Sequence, residues 1–396
     1  MMRRLILAIL AMAAVQGLWA AGEARAFSRG DARVESEPGV EIYVSEVRAS
    51  MTEELGSPVL LIHGGGPGSI PNFDPKVPNY SLAEDIASVG HVVYMMDVRG
   101  FGRSTKPAAL DSTDAKAPPA VSSDEAVKDI SAVVDWILRR SRENRVALVG
   151  FGVGGHWAAL YTTKNSDKVS HLVLVNVLYG VKAPWAPAKA FEDPPNPGEF
   201  KPAASAFYLA DAASLMAEWD RDIPGGDKSK WRDPRVAVAY VKLALSEDAA
   251  AETRTPPGIR IPGAFRKEHF EMAQGKKLWD AKDIRVPTLY VRGTLDHWSR
   301  PEDLQALHAE LVNAPQKQFV VLHGSTHFLH LDRPEKGARR LPAGDARVFG
   351  QPPAGGKGGK EEMKTERPGL LWGRPGLSRP GKPRRLTRIP WARRRS

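Results

Sequence analysis

The stretch Gly150-Phe-Gly-Val-Gly154 has the spacing of a catalytic turn without its reacting atom. In the G-x-S-x-G pattern a serine sits on a sharp strand-to-helix turn that lifts its hydroxyl toward a substrate. Here the middle position is Gly152, which has no side chain. Other residue types suited to acyl chemistry stand further along. Asp296 closes Thr294-Leu-Asp296 and His327 closes His323-Gly-Ser-Thr-His327, each just after an apolar run. An imidazole titrates near neutrality and can act as a general base, while a carboxylate beside it fixes its tautomer and stabilises the imidazolium. Such a pair needs a nucleophile, and deleting the one in a comparable triad lowers kcat by about 10⁶-fold. Glycine suits a strained turn, so the chemistry is at stake and the fold is not. Ser104, Ser299 and Ser325 lie near motif residues, but the turn specifies one position and none of them holds it. His323 and His330 flank His327, and either could be the histidine that points inward.

Backbone donors have their own signature. An apolar run over 58–63 leads directly into Gly64-Gly-Gly-Pro-Gly68, where missing side chains leave N–H groups free to face a ligand and stabilise an oxyanion. Gly150-x-Gly152-x-x-Gly155 also matches the G-x-G-x-x-G dinucleotide fingerprint. That reading needs an acidic residue at the end of the next strand to hold a ribose, and the run 172–175 is followed by Asn176. The histidines at 323, 327 and 330 could share a helix face only if their loop were helical. No cofactor and no metal is expected.

The elements that would position these groups read as alternating strands and helices. Residues 39–47 alternate apolar and polar, as a half-exposed opening strand does. Buried strands are expected over 58–63, 91–97, 146–149, 171–177, 286–293 and 318–322. A helix over 82–89 and a longer one capped by Ser123, with Ile130, Val133, Val134, Ile137 and Leu138 on one face, separate the early strands. Residues 108–120 read as a loop. This alternation predicts an α/β fold with a mostly parallel, doubly wound sheet. Between 183 and 282 a cluster of prolines gives way to helical stretches, which predicts an inserted helical cap. Its Trp185, Trp219, Trp231 and Trp279 are expected in the core, with pocket lining as the alternative role. Core segments are therefore expected over 39–182 and 283–332.

The four motifs occur in the order glycine loop, elbow, acid, base, which is the order of an α/β-hydrolase. Over residues 39–332 the chain resembles that superfamily. His63-Gly-Gly-Gly-Pro-Gly68 resembles the oxyanion motif shared by prolyl-iminopeptidase-like and carbon–carbon bond hydrolases, and Asp97-Val-Arg-Gly-Phe-Gly-Arg-Ser104 resembles the D-x-R-G-x-G-x-S loop of the former. The resemblance implies His327 as base, Asp296 as its acid partner, Gly152 at the nucleophile position, and the N–H groups of Gly65, Gly66 and Val153 as the oxyanion hole. Each such donor is worth roughly 3 kcal/mol in enzymes that use one. The implied activity is hydrolysis of an ester, amide or peptide bond in a small molecule, with turnover undercut by Gly152. The alternative is a pseudohydrolase that binds or scaffolds, as in the N-myc downstream-regulated family, which is similar in lacking the elbow nucleophile.

Charge and composition bound the partners. The 396 residues carry a net charge of +10, yet residues 333–396 alone hold 18 Lys and Arg against 5 Asp and Glu, so the body before them is slightly acidic. A small-molecule ligand is expected, with no specific nucleic-acid partner, although a basic tail can bind anions non-specifically. The chain has no cysteine, which excludes disulfides and thiolate chemistry. Met1-Met-Arg-Arg4, an apolar run over 5–19 and Ala24-Arg-Ala26 fit a secretory signal peptide over 1–26, shorter than a membrane span. A periplasmic or secreted protein is expected, with no transmembrane segment after signal removal.

The Pro-, Gly- and Arg-rich tail over 333–396 reads as disordered and stands where this fold places an amphipathic helix. Codons exist for residues 337–350 whose reading one base later encodes Ala-Arg-Ala-Ala-Phe-Leu-Gln-Glu-Met-Leu-Ala-Phe-Leu, a helix of that kind. We therefore expect a frameshift near residues 333–337. Sequencing the coding DNA checks it, and an early stop in the alternate frame ends the idea.

Overall fold

The computed structural model describes residues 26–50, 57–112, 114, 117–201, 206–337 and the backbone of 363–366. The leader expectation over 1–26 and most of the tail expectation lie outside these residues. Among the described residues, no helix is long and apolar enough to cross a membrane.

Among the described residues, nine strands make one sheet in the order β1-β2-β4-β3-β5-β6-β11-β12-β13. β3 (Val59–Ile62), β4 (Val93–Met96), β5 (Val146–Phe151) and β11 (Thr288–Gly293) are buried along their whole length. Their continuous apolar sequences suit a parallel sheet covered on both faces. β6 (Val169–Val175) and β12 (Lys317–Leu322) extend it in parallel. The sheet does not open at residue 39 as expected. β1 (Phe27–Glu37) precedes β2 (Val40–Ala49) and pairs with it antiparallel. Its sequence, FSRGDARVESE, carries little apolar signal because an edge strand largely faces water, and within it only Val34 is buried in the core. Met363–Glu366, β13, pairs in parallel with β12, which differs from the expectation of a tail without regular structure.

Helices cover the sheet. α1 (Ser69–Phe73) and α2 (Leu82–Ala87) follow β3, and α3 (Ser123–Ser141) precedes β5. The cap of α3 is Ser122, one residue before the expected Ser123, in a reciprocal capping box with Glu125. α4 (Val153–Lys164) follows the elbow.

The inserted segment is mixed and not purely helical. It begins with α5 (Ala188–Phe191) and holds two antiparallel strand pairs, β7 (Glu192–Asp193) with β8 (Asn196–Phe200) and β9 (Phe207–Asp211) with β10 (Gly258–Pro262). α6 (Ala212–Asp220), α7 (Pro234–Ser246) and α8 (Ala264–Ala273) complete it. β9 and β10 are short and far apart in sequence, so their pairing leaves no local pattern. α9 (Pro301–Glu310) also escapes the periodicity reading, although Pro301 at its first turn, with Glu302 and Asp303 behind it, is a helix start.

The loop after β4 explains its motif residue by residue. Fully buried Asp97 accepts from the Ser69 amide at 2.6 Å, the Ser69 hydroxyl at 2.7 Å and the Arg103 amide at 2.8 Å, which ties this loop to the one after β3. Ser104 donates to the Asp97 carbonyl and accepts from the Tyr43 amide. Arg99 lies against Asp129 of α3, with Nη2 to Oδ1 at 2.6 Å and the Arg99 amide to Oδ2 at 2.9 Å. Both side chains are buried, so losing Asp129 orphans the Arg99 amide and leaves the guanidinium with Glu37, 2.7 Å from Nη1, as its nearest carboxylate. Asp129→Ala is expected to cost about 3–5 kcal/mol in urea unfolding. Removing the more exposed Arg140–Glu46 pair is expected to cost less than about 1 kcal/mol.

Candidate active site

β5 runs to Phe151 and α4 begins at Val153, so a single residue makes the turn. Gly152 sits there at φ 53° and ψ −117°, a conformation that side chains rarely adopt. The turn is tight because α4 packs on β3: a Cβ at Gly154 would lie 2.2 Å from the His63 carbonyl oxygen. A Cβ at Gly152 would instead meet His327, 3.2 Å from Nε2 and 3.3 Å from Cε1. The spot where a serine would hold its hydroxymethyl is therefore the spot that the imidazole addresses.

His327 and Asp296 meet as expected, with Nδ1 and Oδ1 2.7 Å apart. Asp296 also accepts from the Trp298 amide at 2.9 Å, from the Ser299 amide at 3.0 Å and from the Ser299 hydroxyl. Burial disfavours ionisation of Asp296, but the charge and hydrogen bond of His327, with His297 and Ser299 adding, outweigh it and hold its pKa below the ordinary value. Burial likewise works against the His327 imidazolium. Asp296, by charge and hydrogen bond, overrides this with help from Asp222 and Glu218, so the pKa of His327 is raised.

The glycine loop is held by two hydrogen bonds that set its peptide planes. His63 Nε2 accepts from the Val98 amide at 3.1 Å, so Nδ1 carries the proton and donates to the Gly64 carbonyl at 2.7 Å. Burial lowers the pKa of His63 and keeps it neutral for this task. The Tyr208 hydroxyl of β9 donates to the Gly65 carbonyl at 3.0 Å. In a trans peptide the C=O and the following N–H point in opposite directions. His63 therefore orients the Gly65 N–H, and Tyr208 orients the Gly66 N–H. The Val153 N–H belongs to the first turn of α4, which has no intrahelical acceptor for it. Cap residues crowd this loop: a Cβ at Gly65 would lie 2.5 Å from the Phe265 ring, and the cavity bordering Gly66 measures ≈ 10 Å³.

The other candidates resolve by their partners. Ser104 is committed to backbone groups, Ser299 donates to Asp296, and Ser325 donates to the Lys336 carbonyl. His323 is exposed. His330 is buried between Phe73 and Phe151, where burial, with the charge of His327 adding, pushes its pKa down to about 3. A second serine–histidine contact, Ser123 Oγ to His156 Nε2 at 2.9 Å, is structural. Trp279 donates to His156 Nδ1 at 3.0 Å, so Nε2 carries the proton and cannot take one from Ser123. Of the cap tryptophans, Trp185, Trp219 and Trp279 are buried, while partly buried Trp231 donates to the Gly324 carbonyl.

Sequence reasoning missed Asp222, which follows α6 in the cap. Its Oδ2 accepts from the His327 amide at 2.8 Å and its Oδ1 lies 2.8 Å from His297 Nδ1. Nothing in Arg221-Asp-Ile-Pro-Gly225 separates it from an ordinary turn aspartate. Asp222, Asp296 and His297 offer ligand atoms within 4.8 Å of one another, but these groups are engaged in the hydrogen bonds just described.

Comparisons with known proteins bear on the family and the fold. A family model described as alpha/beta hydrolase fold matches residues 58–334. The 1-acylglycerol-3-phosphate O-acyltransferase ABHD5 of Sus scrofa is 27% identical over 326 residues, 78% of this chain and 82% of that one. The (lyso)-N-acylphosphatidylethanolamine lipase of Homo sapiens is 28% identical over 156 residues, which span 39% of this chain and only 37% of the lipase. Among solved structures, a bacterial membrane phospholipase A superposes with a TM-score of 0.52 at 17% identity, over 89% of this chain and 100% of its own. An esterase from Thermogutta terrifontis gives 0.51 at 19% identity, over 81% and 99%. At these identities the structural likeness shows the fold.

The ion pair gives stability a predictable pH dependence. The folded pKa of His327 is raised, so its contribution is fully present below the unfolded value near ~6.5 and is lost as pH rises through the folded value. The folded pKa of Asp296 is lowered, so its contribution is lost as pH falls through that value. The difference in urea-unfolding free energy between wild type and His327→Gln should thus be larger near pH ~5.5 than near pH ~9. A difference that does not change with pH contradicts the pairing.

Proposed function

Because the chain belongs to the alpha/beta hydrolase fold family, we propose that its site binds an acyl-bearing small molecule and has lost covalent turnover through Gly152. The carbonyl oxygen would point at the N–H groups of Gly65, Gly66 and Val153, with the carbonyl carbon above Gly152 and His327 beside it. The relatives and structural neighbours, a lipase, an acyltransferase, a phospholipase and an esterase, share acyl chemistry and support this ligand class. The leader read in residues 1–26 supports a periplasmic or secreted location.

One observation carries the reading: a Cβ at Gly152 would lie 3.2 Å from His327 Nε2, while Asp296 still holds the other ring nitrogen. A serine hydroxyl there would attack the carbonyl carbon as its proton passed to Nε2, and the tetrahedral oxyanion would form at the backbone donors. Glycine offers no oxygen, so this step is missing while the acid–base pair remains. The second reading, a pseudohydrolase that only binds or scaffolds, draws on the cap side chains Phe265 and Tyr208 seated on the donor loop.

Gly152→Ser separates the two. Hydrolysis of p-nitrophenyl butyrate is expected to rise by on the order of 10³-fold or more over wild type, and to vanish again when His327→Gln is added. A folded Gly152→Ser protein with no gain sinks the disabled-hydrolase reading and leaves the binding one.

A further inference from the structure

We propose that Asp222, carried by the cap, is a positioning residue of this site: it locks the His327 backbone and couples the seating of the cap to the protonation of the base. The inference rests on reading His327 as that base.

The Asp222 carboxylate is buried, with 2% of its side chain exposed, and both oxygens are used. Oδ2 takes the His327 amide at 2.8 Å, and Oδ1 takes His297 Nδ1 at 2.8 Å. His297 is the neighbour of Asp296 in sequence, and its ring lies 5.3 Å from that of His327. Two carboxylate–histidine pairs thus stand side by side, one contributed by the core and one bridged to the cap. The same cap segment grips the His327 loop a second time. Trp219 donates to Asp332 Oδ1 at 3.0 Å and stacks on Phe328 at 5.2 Å, while Asp332 takes the Thr326 amide and hydroxyl.

An ordinary backbone acceptor would satisfy the His327 amide. A buried carboxylate is costly unless its charge is compensated, so the charge itself points to an electrostatic task. The groups facing His327 are Asp296 and His297 from the loop after β11, Asp222 and Glu218 from the cap, and His330 from its own loop. Asp222 and Glu218 favour the imidazolium, so lifting the cap away removes negative charge from the base. Linkage makes the effect reciprocal: whatever alters the Asp222 contact with the His327 loop alters the proton equilibrium of the imidazole, and protonation of His327 feeds back on that contact.

The test is a histidine NMR titration of the otherwise wild-type protein, which needs no turnover. Asp222→Asn keeps an oxygen for the His327 amide and offers an NH₂ to the His297 ring nitrogen, so it removes charge while retaining shape. Its expected result is a His327 midpoint displaced to lower pH, with a melting temperature that is unchanged when measured well above that midpoint. A merely structural role would move the melting temperature and leave the midpoint. Glu218→Gln, a half-exposed site on α6, is the second variant and should displace the midpoint in the same direction by less. The proposal is overturned if neither variant moves the midpoint. An inactive Gly152→Ser protein whose His327 midpoint still responds to Asp222→Asn would refute the hydrolase reading and leave this coupling standing.

Discussion

The one-residue turn at Gly152 is the constraint from which the rest of the site follows. β5 lies in the middle of a parallel sheet, and the helix after it must fold back onto that sheet at once. The His63 carbonyl approaches Gly154 too closely for any Cβ, and this proximity places the start of α4 beside the glycine loop after β3. The loops after β11 and β12 then deliver Asp296 and His327 to the same end of the sheet, because parallel strands all present their carboxyl ends on one side. Position 152 is thus fixed by backbone packing, whatever residue occupies it. That is why the site's acid and base still converge on a residue with nothing to offer them.

Buried carboxylates hold this arrangement together. Asp97, Asp129, Asp222, Asp296 and Asp332 are each removed from water, and each is met by backbone N–H groups, hydroxyls, imidazoles or a guanidinium. In the interior a carboxylate left half satisfied costs several kcal/mol, so these bonds select one arrangement of the loops over its competitors. Asp97 joins the loops after β3 and β4, while Asp222 and Asp332 join the cap to the His327 loop. The acid–base pair is one member of this network, distinguished by an imidazole that Asp296 and the cap carboxylates keep ready to hold a proton.

The cap has two faces toward chemistry. Through Tyr208 and Phe265 it sits on the donor loop, and through Asp222 and Trp219 it holds the base. A ligand entering this space has to trade against those contacts. Cap position, donor orientation and base protonation therefore belong to one equilibrium.

Much of this is legible in the amino-acid sequence itself. Continuous apolar runs over 58–63, 91–97 and 286–293 announced buried parallel strands, because burial on both faces leaves no room for alternation. The order of glycine loop, elbow, acid and base announced the family, and the empty middle position of the elbow was plain in the sequence. Tertiary structure decided the remainder. It separated His327 from His323 and His330, since only the packing of the last loop determines which imidazole meets Asp296. It added β1, whose mostly polar residues give no apolar pattern because backbone pairing with β2 and side-chain bonds such as Arg29 to Asp74 and Ser36 to Asp129 place it, and β9 and β10, which meet across a long stretch of chain. It alone revealed Asp222, because a turn aspartate becomes a partner of the base only when the cap closes over the sheet, and that contact is written in no local pattern of residues.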